Sequence, residues 1–133
     1  MAILAAWQPA VRSVLRIVAA FLFSLHGMQK ILGLFGGMGG KGGVASFPSL
    51  PWWAGVLELG GGLLLLVGLF SRPVAFVLSG QMAVAYFMFH SPKGFLPVVN
   101  GGELAALYSF LFLYLSFAGP GPLSLDGVIR KKA

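Results

Sequence analysis

The sequence predicts an all-α membrane protein: a four-transmembrane-helix up-down bundle forming one domain over residues 1–133. Composition is the first reason. The chain is 58% hydrophobic and 9% charged, whereas a soluble domain carries about 25% charged residues. Nine Lys and Arg with three Asp and Glu cannot cover a water-facing surface. The second reason is patterning. A mean hydropathy of +0.92 gathers into four apolar runs, each ended by Gly, Pro or Asn. The third is that Trp, Arg and Lys stand at the ends of these runs, where membrane interfaces place them.

The first run, Val11 to Leu34, opens on Arg12 and Arg16 and is long enough to cross a hydrocarbon layer of about 30 Å. Residues 1–10 are too short to span. Trp7 and Pro9 there suit an interfacial segment before the first helix. Residues 36–51 form a flexible glycine-rich loop. Gly37 to Gly42 matches G-x-G-x-x-G, but no strand precedes it, and Lys41 is followed by Gly42 rather than the Ser or Thr of a P-loop. The second span, 52–70, starts at Trp52 and Trp53. Gly55 and Gly62 share a face with Glu58, and Gly60, Gly61 and Gly62 allow close approach of another helix. Ser71-Arg72-Pro73 is a turn, with Pro73 in the first turn of the third span, 73–90. Residues 94–102 are irregular. The fourth span, 103–118, begins at Glu103, a dipole-complementing acid with Asn100 as a nearby cap. Gly119-Pro120-Gly121-Pro122 breaks the chain, and Asp126 caps a short C-terminal turn ending in Arg130, Lys131 and Lys132.

Four spans place both termini on one side. Arg12, Arg16, Arg72, Arg130, Lys131 and Lys132 then face Lys30, Lys41 and Lys93, which predicts cytoplasmic termini in a plasma (inner) membrane. The net charge of +6 fits anionic lipid headgroups. No dense basic-aromatic surface suggests nucleic acid. The absence of cysteine excludes thiolate catalysis, disulfide exchange and Cys-ligated metal centres. The first run is longer than a signal-peptide core and lacks a cleavage site after it.

The polar residues within the runs carry the functional content. His26, Gln29 and Lys30 share one helical face that cannot comfortably point at lipid. By helical rise, His26 lies about 21 Å above the Arg12 level, His90 about 25 Å up the third span, and Glu58 about 9 Å below the outer interface. Gln81 falls near mid-membrane, while Asn100 and Glu103 enter the fourth span from outside. The polar groups thus gather in the outer half and the inner half is apolar. Glu58 needs a cation, with Lys30 or either histidine as the candidates.

Several pieces in order resemble the DoxX family of small four-helix membrane proteins. These are an arginine-led first helix with Phe23-x-x-His26-G-x-x-Lys30; Leu57-Glu58-LGGGLLLLVGLFS-Arg72-Pro73; Gln81-MAVA-Tyr86 followed by His90-x-Pro92; Asn100-GG-Glu103; and a terminal GPLSL-Asp126. The resemblance covers roughly residues 12–127. It implies fold and location firmly and chemistry loosely, because the family takes its name from a subunit of a thiosulfate:quinone oxidoreductase and its relatives accompany membrane redox complexes.

The expected function is therefore a membrane subunit of a quinone-linked or oxidative-stress complex. A quinone would take hydrogen bonds from His26, Lys30 or His90, exchange protons with Glu58 or Glu103, and lie against Tyr86 and Phe87; Gln81 and Asn100 complete the expected polar set. The alternative is a scaffold or assembly factor, with the cluster fixing the helices and the loops holding a redox or other partner. Haem b on His26 and His90 would leave Lys30 and Glu58 unused. No metal is expected, since no close ligand spacing supports one. The apolar inner half leaves no transport path. Glycine-rich helices suit a homo-oligomer.

Overall fold

The computed structural model describes residues 1–132, and all their regular structure is helical, with one isolated bridge between Met38 and Gly43. The helices are α1 (Ala2–Leu32), α2 (Leu50–Val67), α3 (Ser71–Ala85), α4 (Pro97–Asn100), α5 (Glu103–Ala118) and α6 (Leu125–Lys132). A π-turn, Tyr86–His90, and a 3₁₀ turn, Ser91–Lys93, continue α3. Among the described residues, three helical stretches are long and apolar enough to cross a membrane: Ala2–Leu32, Leu50–Val67 and Ser71–Lys93. Glu103–Ala118 is shorter and apolar. The chain forms two compact units. One comprises Met1–Ser71 with the segment from Pro120 onward, and the other is Arg72–Gly119.

In the first unit α1 runs straight through Pro9, so residues 2–10 are helix rather than a separate interfacial segment. Proline removes a single amide donor, and the alanines around it are strong helix formers. At 31 residues the helix is about 46 Å long, which exceeds the hydrocarbon layer. Ser13, Arg16, Ala20, Phe23 and Gly27 recur at helical spacing and are buried, whereas Val14, Val18, Phe21 and Leu22 are exposed. That is the polarity of a helix with one face in protein and one in lipid. Gly33 ends it in the left-handed conformation, φ 68°. The glycine loop then turns sharply. Met38 N–H donates to Gly43 O at 2.8 Å, and a Cβ on Gly37 would lie 2.6 Å from the Gly42 and Gly43 backbone. The G-x-G-x-x-G match is thus a tight turn.

Helix α2 starts at Ser49, whose hydroxyl accepts from Trp52 N–H at 3.3 Å, with Pro51 in the first turn. It packs on α1 through small residues. A Cβ on Gly62 would meet Ser24 Cβ at 2.9 Å, and one on Gly55 would meet Ile31 and Lys30 Cβ at 2.9 Å. On the α1 side, a Cβ on Gly27 would strike the Leu59 backbone nitrogen, with Leu59 Cα at 2.8 Å. Pairing Ser24 with Gly62, Gly27 with Leu59 and Ile31 with Gly55 gives an antiparallel hairpin. Gly60 does not share this role, because a Cβ there meets nothing within 4 Å; it sits two residues, or about 200°, around the helix from Glu58.

This contrast gives a prediction. Gly27→Ala is expected to destabilise the hairpin by about 2–3 kcal/mol, because backbone cannot step aside as a side-chain tip would. Gly60→Ala should be neutral or stabilising by about 0.5–1 kcal/mol. Thermal unfolding in detergent measures both, and equal effects would contradict the hairpin register.

In the second unit, α3 and α5 are joined by a reciprocal pair. Ser79 Oγ donates to Ser109 O at 2.7 Å, and Ser109 Oγ donates to Ser79 O at 3.0 Å. Arg72 donates to the last-turn carbonyls of α5, Ser116 O at 3.2 Å and Phe117 O, a cationic cap at the negative end of the helix. Residues 94–102, expected to be irregular, contain the single turn α4, which Gly101 ends at φ 74°.

Candidate functional site

The hairpin brings three of the expected residues together in the first unit. Glu58, on the buried face of α2, accepts two hydrogen bonds from Lys30 Nζ, at 2.6 and 2.8 Å. The carboxylate side chain is 4% exposed and that of Lys30 is 28% exposed. The pair is therefore sealed at the acid and partly exposed at the base. Gly55 makes this possible, since its missing side chain leaves room for the Lys30 stem. His26, one turn before Lys30, is half-buried and close enough to act electrostatically on Glu58. Gln29 shares their face in sequence but donates locally to Phe35 O at 3.2 Å.

A second set gathers in the other unit, around the π-turn. Asn100 is 3% exposed. Its amide donates to Gly94 O at 2.9 Å and to the Tyr86 hydroxyl at 3.2 Å, and its side-chain oxygen accepts from Gly102 N–H at 2.8 Å. It is therefore no cap of α5: Gly102 holds the cap position, with no side-chain cap bond. Asn100 sits two residues too early and folds back on its own turn. His90 Nδ1 lies 3.3 Å from Asn100 O, and the His90 and Tyr86 rings are 6.4 Å apart at 32°. A Cβ on Gly102 would come within 2.8 Å of Tyr86, Asn100 Oδ1 and His90 Cβ, which explains the second glycine of Asn100-Gly-Gly-Glu103. Phe87 stands edge-on to Tyr86 at 5.4 Å and is largely exposed.

Gln81 and Glu103 both belong to the second unit. Gln81 is half-buried on α3. Glu103 is exposed in the first turn of α5, where it borders an open groove of about 390 Å³ with Pro97, Val98 and Leu107. Among the described residues no group of three or more His, Asp or Glu is placed to hold a metal ion.

Sequence reasoning missed a third polar cluster, at the Arg12–Arg16 end of α1, where the chain was expected to be apolar. Arg16 is 1% exposed. Its guanidinium donates to Pro120 O and, at 2.7 Å, to Leu123 O. Leu123 N–H donates to Ser13 Oγ at 3.2 Å. Gly68 adopts φ 73°, and a Cβ there would lie 2.9 Å from the Arg16 guanidinium and against Ser124. Asp126 does not cap its own turn, where Ser124 Oγ accepts from Gly127 N–H at 3.1 Å; its two oxygens instead accept from Phe70 N–H at 2.9 Å and Ser71 N–H at 2.8 Å, the orphan donors where α3 begins. The available signal was the spacing-independent conjunction of a span-end arginine with a GPGP turn and a following acid.

Burial alone would raise the Asp126 pKa, but the amides of Ser71 and Phe70 and the charge of Arg130 hold it below the ordinary carboxylate range. A depressed folded-state pKa contributes stability above the unfolded value, near 4, and loses it as pH falls through the folded value. Asp126→Asn is therefore expected to cost about 1 kcal/mol at neutral pH and to flatten the acid limb of stability below about pH 4. Melting curves from pH 3 to 7 would show it; an unchanged acid limb would rule this role out.

Comparison with known proteins agrees with this architecture. The DoxX family model matches residues 11–91. An uncharacterized protein of Haemophilus influenzae is 48% identical over 129 residues, covering 95% of this chain and 96% of its own length. The inner membrane protein YqjF of Escherichia coli is 35% identical over 123 residues, covering 90% and 92%. No solved structure matches. With the family model covering well over half the chain and near-full-length relatives at this identity, the chain belongs to the DoxX family.

Proposed function

We propose that this chain is a four-span subunit of the inner membrane with both termini cytoplasmic, and that it serves quinone-linked redox chemistry through a ligand or proton site at Lys30, Glu58 and His26. The observation that carries this reading is the Lys30–Glu58 pair, at 2.6 Å with its acid sealed and its base half-open. A pair needed only for helix packing has no reason to leave the Lys30 side chain 28% exposed while its acid is sealed. An ammonium on a partly exposed side chain, a neighbouring imidazole and a buried carboxylate can together hydrogen-bond a carbonyl and exchange a proton. The inner membrane location is supported by the name of the YqjF relative, the fourth span by the apolar Glu103–Ala118 helix, and the orientation by the surplus of Arg and Lys on the side of the termini.

The test is titration of a short-chain quinone into the protein in lipid nanodiscs. Binding should weaken at least tenfold in Glu58→Gln and in His26→Ala. Unchanged binding in both would overturn the assignment. A second reading, a scaffold without chemistry, draws on Arg16, Arg72, Ser79, Ser109 and Asn100, which spend their polar groups on the chain's own backbone. A stoichiometric partner protein with no bound small molecule would favour it.

A further inference from the structure

The π-turn fixes the chemistry of His90 more narrowly than residue type does. Its Nδ1 lies 3.3 Å from a backbone carbonyl, Asn100 O. A carbonyl oxygen only accepts, so in the neutral ring Nδ1 carries the proton and Nε2 carries the lone pair. That carbonyl is itself fixed, because the Asn100 side chain is buried and bonded to Gly94, Tyr86 and Gly102. The crowding at Gly102 keeps the turn closed against the rings of Tyr86 and His90. Nε2 has no protein partner among the described residues and is not sealed inside. A single acceptor nitrogen is thus left unbonded and not fully buried at a five-residue π-turn, a local geometry that often marks functional positions.

The surroundings say what would meet it. Phe87 is 68% exposed, Phe89 49% and Phe95 91%, and the Tyr86 ring is tilted by only 32° from that of His90. An acceptor nitrogen beside the Tyr86 ring, on a turn that also carries exposed phenylalanines, in a chain that lives in lipid, suits a flat apolar molecule with one hydroxyl donor. We propose that His90 is a hydrogen-bond acceptor site for a membrane-dissolved phenol, which donates its O–H to Nε2 while its ring lies against the aromatic side chains of the π-turn. The proposal does not depend on the function proposed for Lys30–Glu58.

The experiment is ¹⁵N NMR of the full chain, labelled at histidine, in lipid nanodiscs. The sequence has two histidines, and His90→Gln identifies the His90 signals by their loss. The free protein should show His90 with Nδ1 protonated and Nε2 bare. Added 4-octylphenol should shift Nε2 saturably, while 4-octylanisole, which lacks the donor, and 1-octanol, which lacks the ring, should shift it at least tenfold more weakly. An Nε2–H tautomer in the free protein would overturn the proposal, as would an undisturbed Nε2 with the phenol present. Equal shifts from octanol would overturn the phenolic assignment.

Discussion

Lys30→Met is expected to cost about 3–4 kcal/mol of stability, whereas Glu58→Gln should cost only about 1–2. The asymmetry follows from exposure. Glu58 is sealed and Lys30 is partly open. Without Glu58, the lysine stem can swing its ammonium toward the headgroups. Without Lys30, a carboxylate is left buried without its cation, a loss typically of 3–5 kcal/mol. The penalty is capped near 4 kcal/mol, roughly the cost of placing a proton on an ordinary carboxylate at neutral pH. Replacing both, as Lys30→Met with Glu58→Leu, should recover at least half, since an apolar pair avoids the desolvation of two charges. Unfolding of the reconstituted protein by steric trapping would measure all three. Equal, additive single effects would mean that the two groups do not act as a pair.

Arg16→Met is expected to loosen the segment from Pro120 to Asp126 while leaving the helices in place. Methionine keeps much of the stem's volume but leaves the Pro120 and Leu123 carbonyls without the donors they now have. Charge-assisted hydrogen bonds contribute about 1.5–3 kcal/mol each, so a loss of about 3 kcal/mol is expected. Hydrogen exchange reads it directly. Leu123 N–H, bonded to Ser13 Oγ, and Asp126 N–H, bonded to Gly68 O, should exchange about 100-fold faster. Arg16→Lys should recover only part of this, because an ammonium cannot fork between two carbonyls as a guanidinium does. Unchanged exchange at both amides would show that the segment is held by something other than Arg16.

The helices were legible because apolar runs of that length leave few alternatives in a membrane. Glu58 and Lys30 were legible as partners because a carboxylate at that depth needs a cation, and Gly55 and Gly62 as packing residues because they share the face of Glu58. Glu103 was legible as a first-turn acid. What stayed hidden was bonded to backbone. Arg16 looked like a headgroup-facing arginine because it stands at a span end; its partners are carbonyls more than a hundred positions away, and a carbonyl has no signature in sequence. The same holds for Arg72, Asp126 and the Ser79–Ser109 pair. The π-turn was invisible because Tyr86–His90 has no residue that forbids an α-turn, and its contacts with Asn100 and Gly102 come from residues ten or more positions further along the chain. Pro9 misled in the opposite direction, since a strong helix breaker was outvoted by the alanines around it.

The most direct test of the central claim is native mass spectrometry of the protein, purified gently from membranes, with an organic extract of the same sample. If the Lys30–Glu58–His26 cluster is a ligand site, the protein should carry a bound quinone that is lost in Glu58→Gln and retained in Gly60→Ala, whose position faces open space. A protein free of small molecules and bound to a second polypeptide, unaffected by Glu58→Gln, would contradict the claim and make the polar cluster a fastening between helices.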